Sequence, residues 1–320
     1  MTGEAHTWET DLLVVGGGPA GCAAAVMAAG VGLRTLLLEE RRELCGRLRY
    51  VRALDNVLGG FASGPDLAAA VTADVARAAG CRVEYGARVV HLAARDDRVV
   101  ATLDSGERRT AAHAVVATGA GPLEPADTDW AADPERLAGA PLWEADPRAL
   151  AGRTVLVLGA DRPLGTLLRA APAAEVRLLV AHPPADDYKT AEVRADRRVE
   201  LLPVRRIALR SGRRRRITAE LTTGTGDVLE RTADAAYLNI GNAPVRLPGD
   251  LRPDATGYCP PGRQHPRVHV AGDLRSARAQ RIMTAMGSGG EAALRAYYAL
   301  QGLPDAPGAS GGPGRPGRPE

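Results

Sequence analysis

The sequence predicts an α/β protein built from two doubly wound, three-layer units, the second inserted in the first. Three observations carry this. Two apolar strands each run into a Gly-containing turn and a helix, at DLLVVGGGPAGCAAA from Asp11 and at RTVLVLGADRPLGTLLRA from Arg153. Each strand–turn–helix is followed by a further apolar strand and a meander of short segments. A last apolar strand and helix return near the C-terminus, as the second half of a split unit would.

Taken in order, DLLVVGGG is a short apolar run entering glycines, PAGCAAAVMAAG is a helix-prone Ala run, and LRTLLLEE is a buried strand ending in acid. GPDLAAAVTADVARAAG, residues 64–80, has a Pro near its start, good helix formers and a Gly stop. The stretch from Cys81 to Thr118 alternates between short strands and Gly or Asp turns, a small β-meander closed by a buried strand. From Gly119 to Leu150 the chain is rich in Pro, Asp and Gly without a strong period, which marks a junction. RTVLVLGAD opens the second unit, and the stretch from Leu201 to Gly241 supplies another meander. RVHVAGDLRS and IMTAMGSGGEAALRAYYAL give the returning strand and closing helix. The expected boundaries are 1–120 with 246–302 for the split first unit and 121–245 for the inserted one. The Gly/Pro tail, 303–320, is expected to be disordered.

With 320 residues, about two cores can be filled. Hydrophobic residues at 45% and charged residues at 25% are the balance of a globular protein. Lys189 is the only lysine, so the 41 basic residues are forty Arg and one Lys, a bias of base composition more than of a nucleic-acid ligand. A net charge of +3 demands no polyanionic partner. Cys22, Cys45, Cys81 and Cys259 stand far apart with no C-x-x-C, which argues against a disulfide framework and a zinc site, and no metal is expected. No apolar run approaches the ~18 to 20 residues of a membrane span, so no membrane is expected and the cytoplasm is the default compartment.

In Gly16-x-Gly18-x-x-Gly21 the first Gly permits a tight turn, the second lets backbone approach a pyrophosphate, and the third lets helix and strand pack closely. The helix beginning at Pro19 and Ala20 then points its partial positive charge at the phosphates. Glu39 follows Gly21 by eighteen residues, at the end of the second strand, where a carboxylate accepts ribose hydroxyls. Strand, helix, second strand and acid in register make this a Rossmann-like dinucleotide cradle.

GGGPAGCAAAVMAAG, CGRLRYVRALDNVLGG, GPDLAAAV, VVATGA, NIGNAP and VAGDLRSARAQRIMTAMGSGGEAAL resemble, in that order, the FAD-binding blocks of the thioredoxin reductase family over nearly residues 11–300. The resemblance implies two Rossmann-like domains and FAD as cofactor. It implies that Gly16, Gly18, Pro19, Ala20, Gly21 and Glu39 hold the ADP half, and that Gly46 and Leu48 belong to a loop beside the flavin. Asn56 matches the residue that bonds the pyrimidine edge, and alternatively caps a turn. Thr118 and Gly119 fall in the turn under the cofactor, and Gly272, Asp273, Arg281 and Ile282 in the returning block. Asp273 alternatively caps the following helix. A homodimer through the FAD unit is also implied by the resemblance.

Two departures stand against that pattern. Where the family carries the redox C-x-x-C followed by an acid, this chain has Leu142, Trp143, Glu144, Ala145 and Asp146. A dithiol relay needs two sulfurs within bonding distance, so thioredoxin reduction is excluded by chemistry. Asp146 matches the acid that moves protons in the family, or is a solvent-facing turn residue; Trp143 and Glu144 are candidates for lining a new pocket. Where the family has its second Gly-rich turn, this chain has Gly159, Ala160, Asp161, Arg162, Pro163 and Leu164. Ala160 crowds the turn and Asp161 puts a carboxylate where a pyrophosphate should lie. The Arg cluster for a 2′-phosphate reads Val180, Ala181 and His182 here. Arg213 to Arg216 read as a solvated hairpin run rather than a substitute.

Arg281 is either a surface residue or a guanidinium at the flavin edge that favours electron acceptance from substrate. Cys45 stands where the family has Gly, as a reactive thiol or as a small buried side chain. Cys22 reads as packing, His269 as structural, and His265 as a loop residue able to reach a substrate. Asp146, Arg281 and Cys45 are thus the catalytic candidates. Together these readings lead to an FAD-dependent oxidoreductase, foremost an oxidase acting directly on a small specialised-metabolite substrate with molecular oxygen as acceptor. An NAD(P)H-dependent flavin or ferredoxin-type reductase and a non-catalytic FAD-binding scaffold are the alternatives.

Overall fold

A computed structural model describes residues 10–137, 139–211 and 216–303. In chain order the strands and helices are β1 (Leu12–Val15), α1 (Pro19–Gly30), β2 (Thr35–Glu39), α2 (Gly64–Arg77), β3 (Cys81–Tyr85), β4 (Val89–Ala94), β5 (Val99–Leu103), β6 (Arg108–Ala111) and β7 (His113–Val116). Then come β8 (Ala120–Pro122), β9 (Thr154–Leu158), α3 (Pro163–Ala170), β10 (Arg177–His182), β11 (Val199–Ser211), β12 (Ile217–Thr223), β13 (Val228–Ala233) and β14 (Ala235–Leu238). The chain closes with β15 (Asn242–Pro244), β16 (Val268–Val270) and α4 (Ile282–Leu300).

The chain divides into two compact units, one of residues 1–46, 70–119 and 245–320, the other of residues 47–69 and 120–244. Segment 47–69, which the sequence reading placed with the first unit, groups with the second.

In the first unit five parallel strands lie in the order β16-β7-β1-β2-β3. Their apolar residues are buried on both faces, as a covered parallel sheet requires. Leu12, Leu13 and Leu37 are fully enclosed, each such side chain contributing about 1.5 to 3 kcal/mol relative to exposure. α1 starts with Pro at its first position, where the missing N–H costs nothing. Its buried face is small, Ala20, Gly21, Ala24, Ala25 and Ala28, which lets α4 approach closely. A Cβ on Gly289 of α4 would stand 2.0 Å from the Ala20 carbonyl oxygen. The antiparallel sheet β4-β5-β6 completes the unit.

In the second unit β11, β10, β9 and β14 run parallel, and the far half of β11 continues into the antiparallel hairpins β11-β12-β13. One long strand thereby joins the parallel layer to the predicted meander. The Pro-rich junction forms short 3₁₀ turns, at Leu142–Glu144 and Pro147–Leu150 among others, which bury Leu142 and Leu150. Arg213 to Arg215 and the tail from residue 304 lie outside the described residues; Arg216 pairs with Asp234 at 3.4 Å beside the hairpin. No helix among the described residues is long and apolar enough to cross a membrane.

Candidate active site

The candidate cradle forms at the C-terminal end of β1, the end of a parallel sheet at which α/β proteins bind ligands. Gly16 takes a φ of +99°, open only to glycine at low cost, and its N–H donates to the Leu38 carbonyl at 2.9 Å. A Cβ on Gly21 would lie 1.8 Å from the Gly16 oxygen, so this position fixes how closely α1 sits on its own turn. Gly18 differs: a Cβ there would meet nothing within 4 Å. It precedes α1 with no side-chain cap. The outer face of the turn is therefore open, with backbone at a helix N-terminus beneath it, a setting suited to a phosphate.

Glu39 is buried, and both of its oxygens are engaged: Oε2 accepts from the Gly17 N–H of the turn at 2.6 Å and Oε1 from the Arg41 N–H just past β2 at 2.8 Å. Each carboxylate oxygen accepts more than one bond, so lone pairs remain for ribose hydroxyls. Holding the Gly17 backbone is a second task for this residue, one the spacing alone did not reveal.

Other predicted residues converge on the same sheet end. Thr118 Oγ1 donates to the Val245 carbonyl, and the Val245 N–H donates to the Gly119 carbonyl at 3.0 Å, so the ATG turn is tied to the chain's return. Gly272, with φ +70°, donates its N–H to Ser288 Oγ of α4 at 2.8 Å. Its would-be Cβ would crowd Ala20 at 2.9 Å, which brings Gly272 against the first turn of α1. Asp273 follows, half-buried. Arg281 is exposed at the N-cap of α4, before Ile282, with a guanidinium nitrogen 3.0 Å from the Gln280 carbonyl it donates to. Gly46 lies beside Arg41, where a Cβ would meet the guanidinium at 3.1 Å.

Cys45 is buried in a left-handed conformation, φ +58°, and its N–H donates to the Gly17 carbonyl at 2.8 Å. Its sulfur lies 3.9 Å from that of Cys22, whose thiol is 3.2 Å from the same carbonyl. The hydrogen bond with Cys45 and burial together push the Cys22 thiol far above the ordinary thiol range. Of the two readings of Cys45, the enclosure of its side chain is that of the small packed residue.

His265, expected to be able to reach a substrate, precedes β16, whereas Gly272 follows it. The strands being parallel, His265 stands at the sheet end opposite the cradle, where its Nδ1 accepts from the Arg267 N–H at 3.2 Å. That expectation is corrected on topology. His269 is structural, as read: its Nε2 is 3.2 Å from Nδ1 of buried His113.

Leu48, Asn56, Trp143, Glu144 and Asp146 belong to the second unit. Leu48 is buried in the 3₁₀ turn Leu48–Tyr50, and Asn56 is exposed. Asp146 is exposed and caps the 3₁₀ turn Pro147–Leu150 through Oδ1 and the Arg148 N–H, at 3.1 Å, so a turn role is part of its function here. Leu142 and Ala145, which the resemblance sets against the family's two cysteines, are buried. Trp143 meets Tyr50 edge to face at 4.7 Å and lies under Arg47 at 5.5 Å; Glu144 is exposed. The contacts between Cys22 and Cys45, and from Arg47 to Trp143, carry no local sequence signal.

A turn open only at Gly18, an acid at the end of β2 and a returning strand that packs Gly272 on α1 define a dinucleotide-binding α/β domain. Comparison with known proteins takes this further: the sequence profile of the pyridine nucleotide-disulphide oxidoreductases matches residues 10–160. That segment carries the profile of the family, and the chain as a whole has the thioredoxin reductase fold. It is similar to thioredoxin reductase from Lactococcus lactis, with 19% identity, coverage of 92% of this chain and 100% of that one, and a TM-score of 0.76. The T. acidophilum thioredoxin reductase gives 20% identity, 92% and 99% coverage and a TM-score of 0.75. The bacillithiol disulfide reductase of Bacillus cereus gives 18% identity, 90% and 98% coverage and a TM-score of 0.65. A 70-residue segment is 49% identical to sarcosine oxidase subunit alpha from a Corynebacterium species, spanning 22% of this chain and 7% of that subunit.

The residues present fit FAD, the cofactor of this family. The space before Gly18 is open where a Cβ would fill it, and Glu39 keeps acceptor capacity beside it.

Proposed function

We propose that this protein is an FAD-dependent oxidase that acts directly on a small molecule, a specialised metabolite, with molecular oxygen as acceptor and without NADPH or a protein dithiol relay. The observation that carries the reading is the contrast between two turns. Gly18 leaves its turn open, whereas at the end of β9 Ala160 is 1% exposed and Asp161 9%, so side chains fill the corresponding turn. Buried Leu142 and Ala145 supply no sulfur to pass electrons through.

FAD supplies the two-electron chemistry in this reading. The chain's part is to bind and orient it: the N–H groups of α1's first turn would hold the pyrophosphate and Glu39 would take ribose hydroxyls. Arg281 is the favoured catalytic candidate, a permanent positive charge at the N-cap of α4 in the same unit as the cradle. Asp146 is retained as a proton-transfer candidate, and Cys45 is not, on the packing described above.

The test is aerobic turnover: candidate metabolites are supplied to the FAD-loaded protein without nicotinamide while oxygen is followed. Oxygen consumption matched by substrate loss supports the reading, and Arg281→Met should lower that rate at least tenfold. Turnover that appears only on adding NADPH or NADH favours the reductase reading, and none under either condition, with tight FAD, favours a scaffold.

A further inference from the structure

The turn after β9 has the backbone of a nucleotide cradle. Gly159 takes φ +100°, and a Cβ on it would stand 2.3 Å from the Asn239 carbonyl oxygen. α3 begins two residues past Asp161 with no side-chain cap at Arg162. Such a turn normally spends its donors on a bound anion.

Here the second unit places a carboxylate of its own in the turn, with Asn239 holding the backbone of that residue and Asn242 its side chain. Asp161 is clamped through its backbone, its N–H donating to the Asn239 carbonyl at 3.2 Å and its carbonyl accepting from Asn239 Nδ2 at 2.8 Å. Asn239 is 5% exposed, and its Nδ2 also approaches the Gly159 carbonyl at 3.3 Å. The Asp161 carboxylate accepts from Asn242 Nδ2 at 3.3 Å, and its other oxygen lies 3.8 Å from the Arg162 guanidinium. Asn242 is oriented in turn: its Oδ1 accepts from Arg47 at 2.9 Å, and Arg47 also donates to the Ala120 carbonyl. All these residues lie in one unit.

We infer that the second unit is self-liganded: Asp161 stands in for a nucleotide phosphate, and the Asn239, Asn242 and Arg47 chain locks it in the turn. The inference deepens the proposed function and rests on its claim that the second unit takes no NAD(P)H. A carboxylate nine-tenths buried at the turn repels an incoming phosphate, and it occupies the amide of Asn242. Asp161 is then the specificity-determining residue of this unit, acting against anions.

The test uses the full-length, FAD-loaded protein and three probes, NADPH, NADH and inorganic pyrophosphate, with binding read by calorimetry. Wild type should show no saturable binding of any probe up to about millimolar concentration. Asp161→Gly, and Ala160→Gly with Asp161→Gly, should bind NADH and NADPH at least tenfold more tightly than wild type. Asp161→Asn keeps the side-chain size and removes the charge, so it should gain pyrophosphate binding in part. Unchanged FAD content and thermal melts certify that each variant is folded. If all folded variants bind as weakly as wild type, the self-liganded turn is refuted and the oxidase reading stands. If wild-type flavin is bleached rapidly by NADPH, it is the oxidase reading that fails.

Discussion

Lowering the pH from 7 to 5 should cost the first unit stability through one histidine pair. His113 at the start of β7 and His269 in β16 lie with Nδ1 and Nε2 3.2 Å apart and rings stacked at 5.4 Å and 24°. Burial, then the charges of Arg267 and His265, holds His113 down to about 4; burial, then His113 and Arg295, holds His269 down to about 3. Two neutral imidazoles share one proton comfortably, and a second proton finds no acceptor between them. Because both folded values lie below the unfolded value near 6.5, the stability is fully present above pH 6.5. It is lost as the unfolded chain takes up protons that the fold refuses. At pH 5 each histidine then forgoes about 2 kcal/mol, and with solvent screening of half-buried His269 the pair costs about 2 to 4 kcal/mol. Urea melts at pH 7 and 5 measure this directly. His113→Gln with His269→Gln should flatten the loss by at least half. A double variant that loses as much stability as wild type over this range would refute the reasoning.

Other consequences can be checked on the same preparation. Gly21→Ala and Gly289→Ala should each destabilise the first unit by about 3 kcal/mol or more, since the new Cβ meets backbone at 1.8 and 2.0 Å, and yield protein with little bound FAD. Gly18→Val should keep the wild-type melt within about 1 kcal/mol but weaken FAD retention at least tenfold, its Cβ filling the open cradle. Alkylation followed by peptide mass mapping should label half-buried Cys81 first and leave Cys22 and Cys45 unmodified until unfolding, because their buried side chains are out of the reagent's reach. Prompt labelling of Cys45 would instead revive its catalytic reading.

What the sequence revealed was local. The strand–Gly turn–helix at Gly16 to Gly21 is written within a dozen residues, and its physics, φ at Gly16 and close packing at Gly21, acts at that range. The acid at Glu39 was legible as the end of an apolar strand, but its bond to the Gly17 N–H depends on how two neighbouring strands end together. The hidden features join residues distant in sequence: Cys22 to Cys45, His113 to His269, and Arg47 to Asn242. None carries a periodicity or motif, because polar pairing across a fold leaves no pattern in a single chain. Segment 47–69 was misplaced for the same reason. Its family-like blocks point to the flavin, while its contacts group it with the second unit.

The central claim is that the FAD cradle is intact and the second unit receives no nicotinamide. It is tested most directly by the visible spectrum of the purified protein under anaerobic conditions, before and after adding NADPH. The purified protein should be yellow, with flavin bands that persist through at least millimolar NADPH. Loss of those bands within seconds at micromolar NADPH would contradict it.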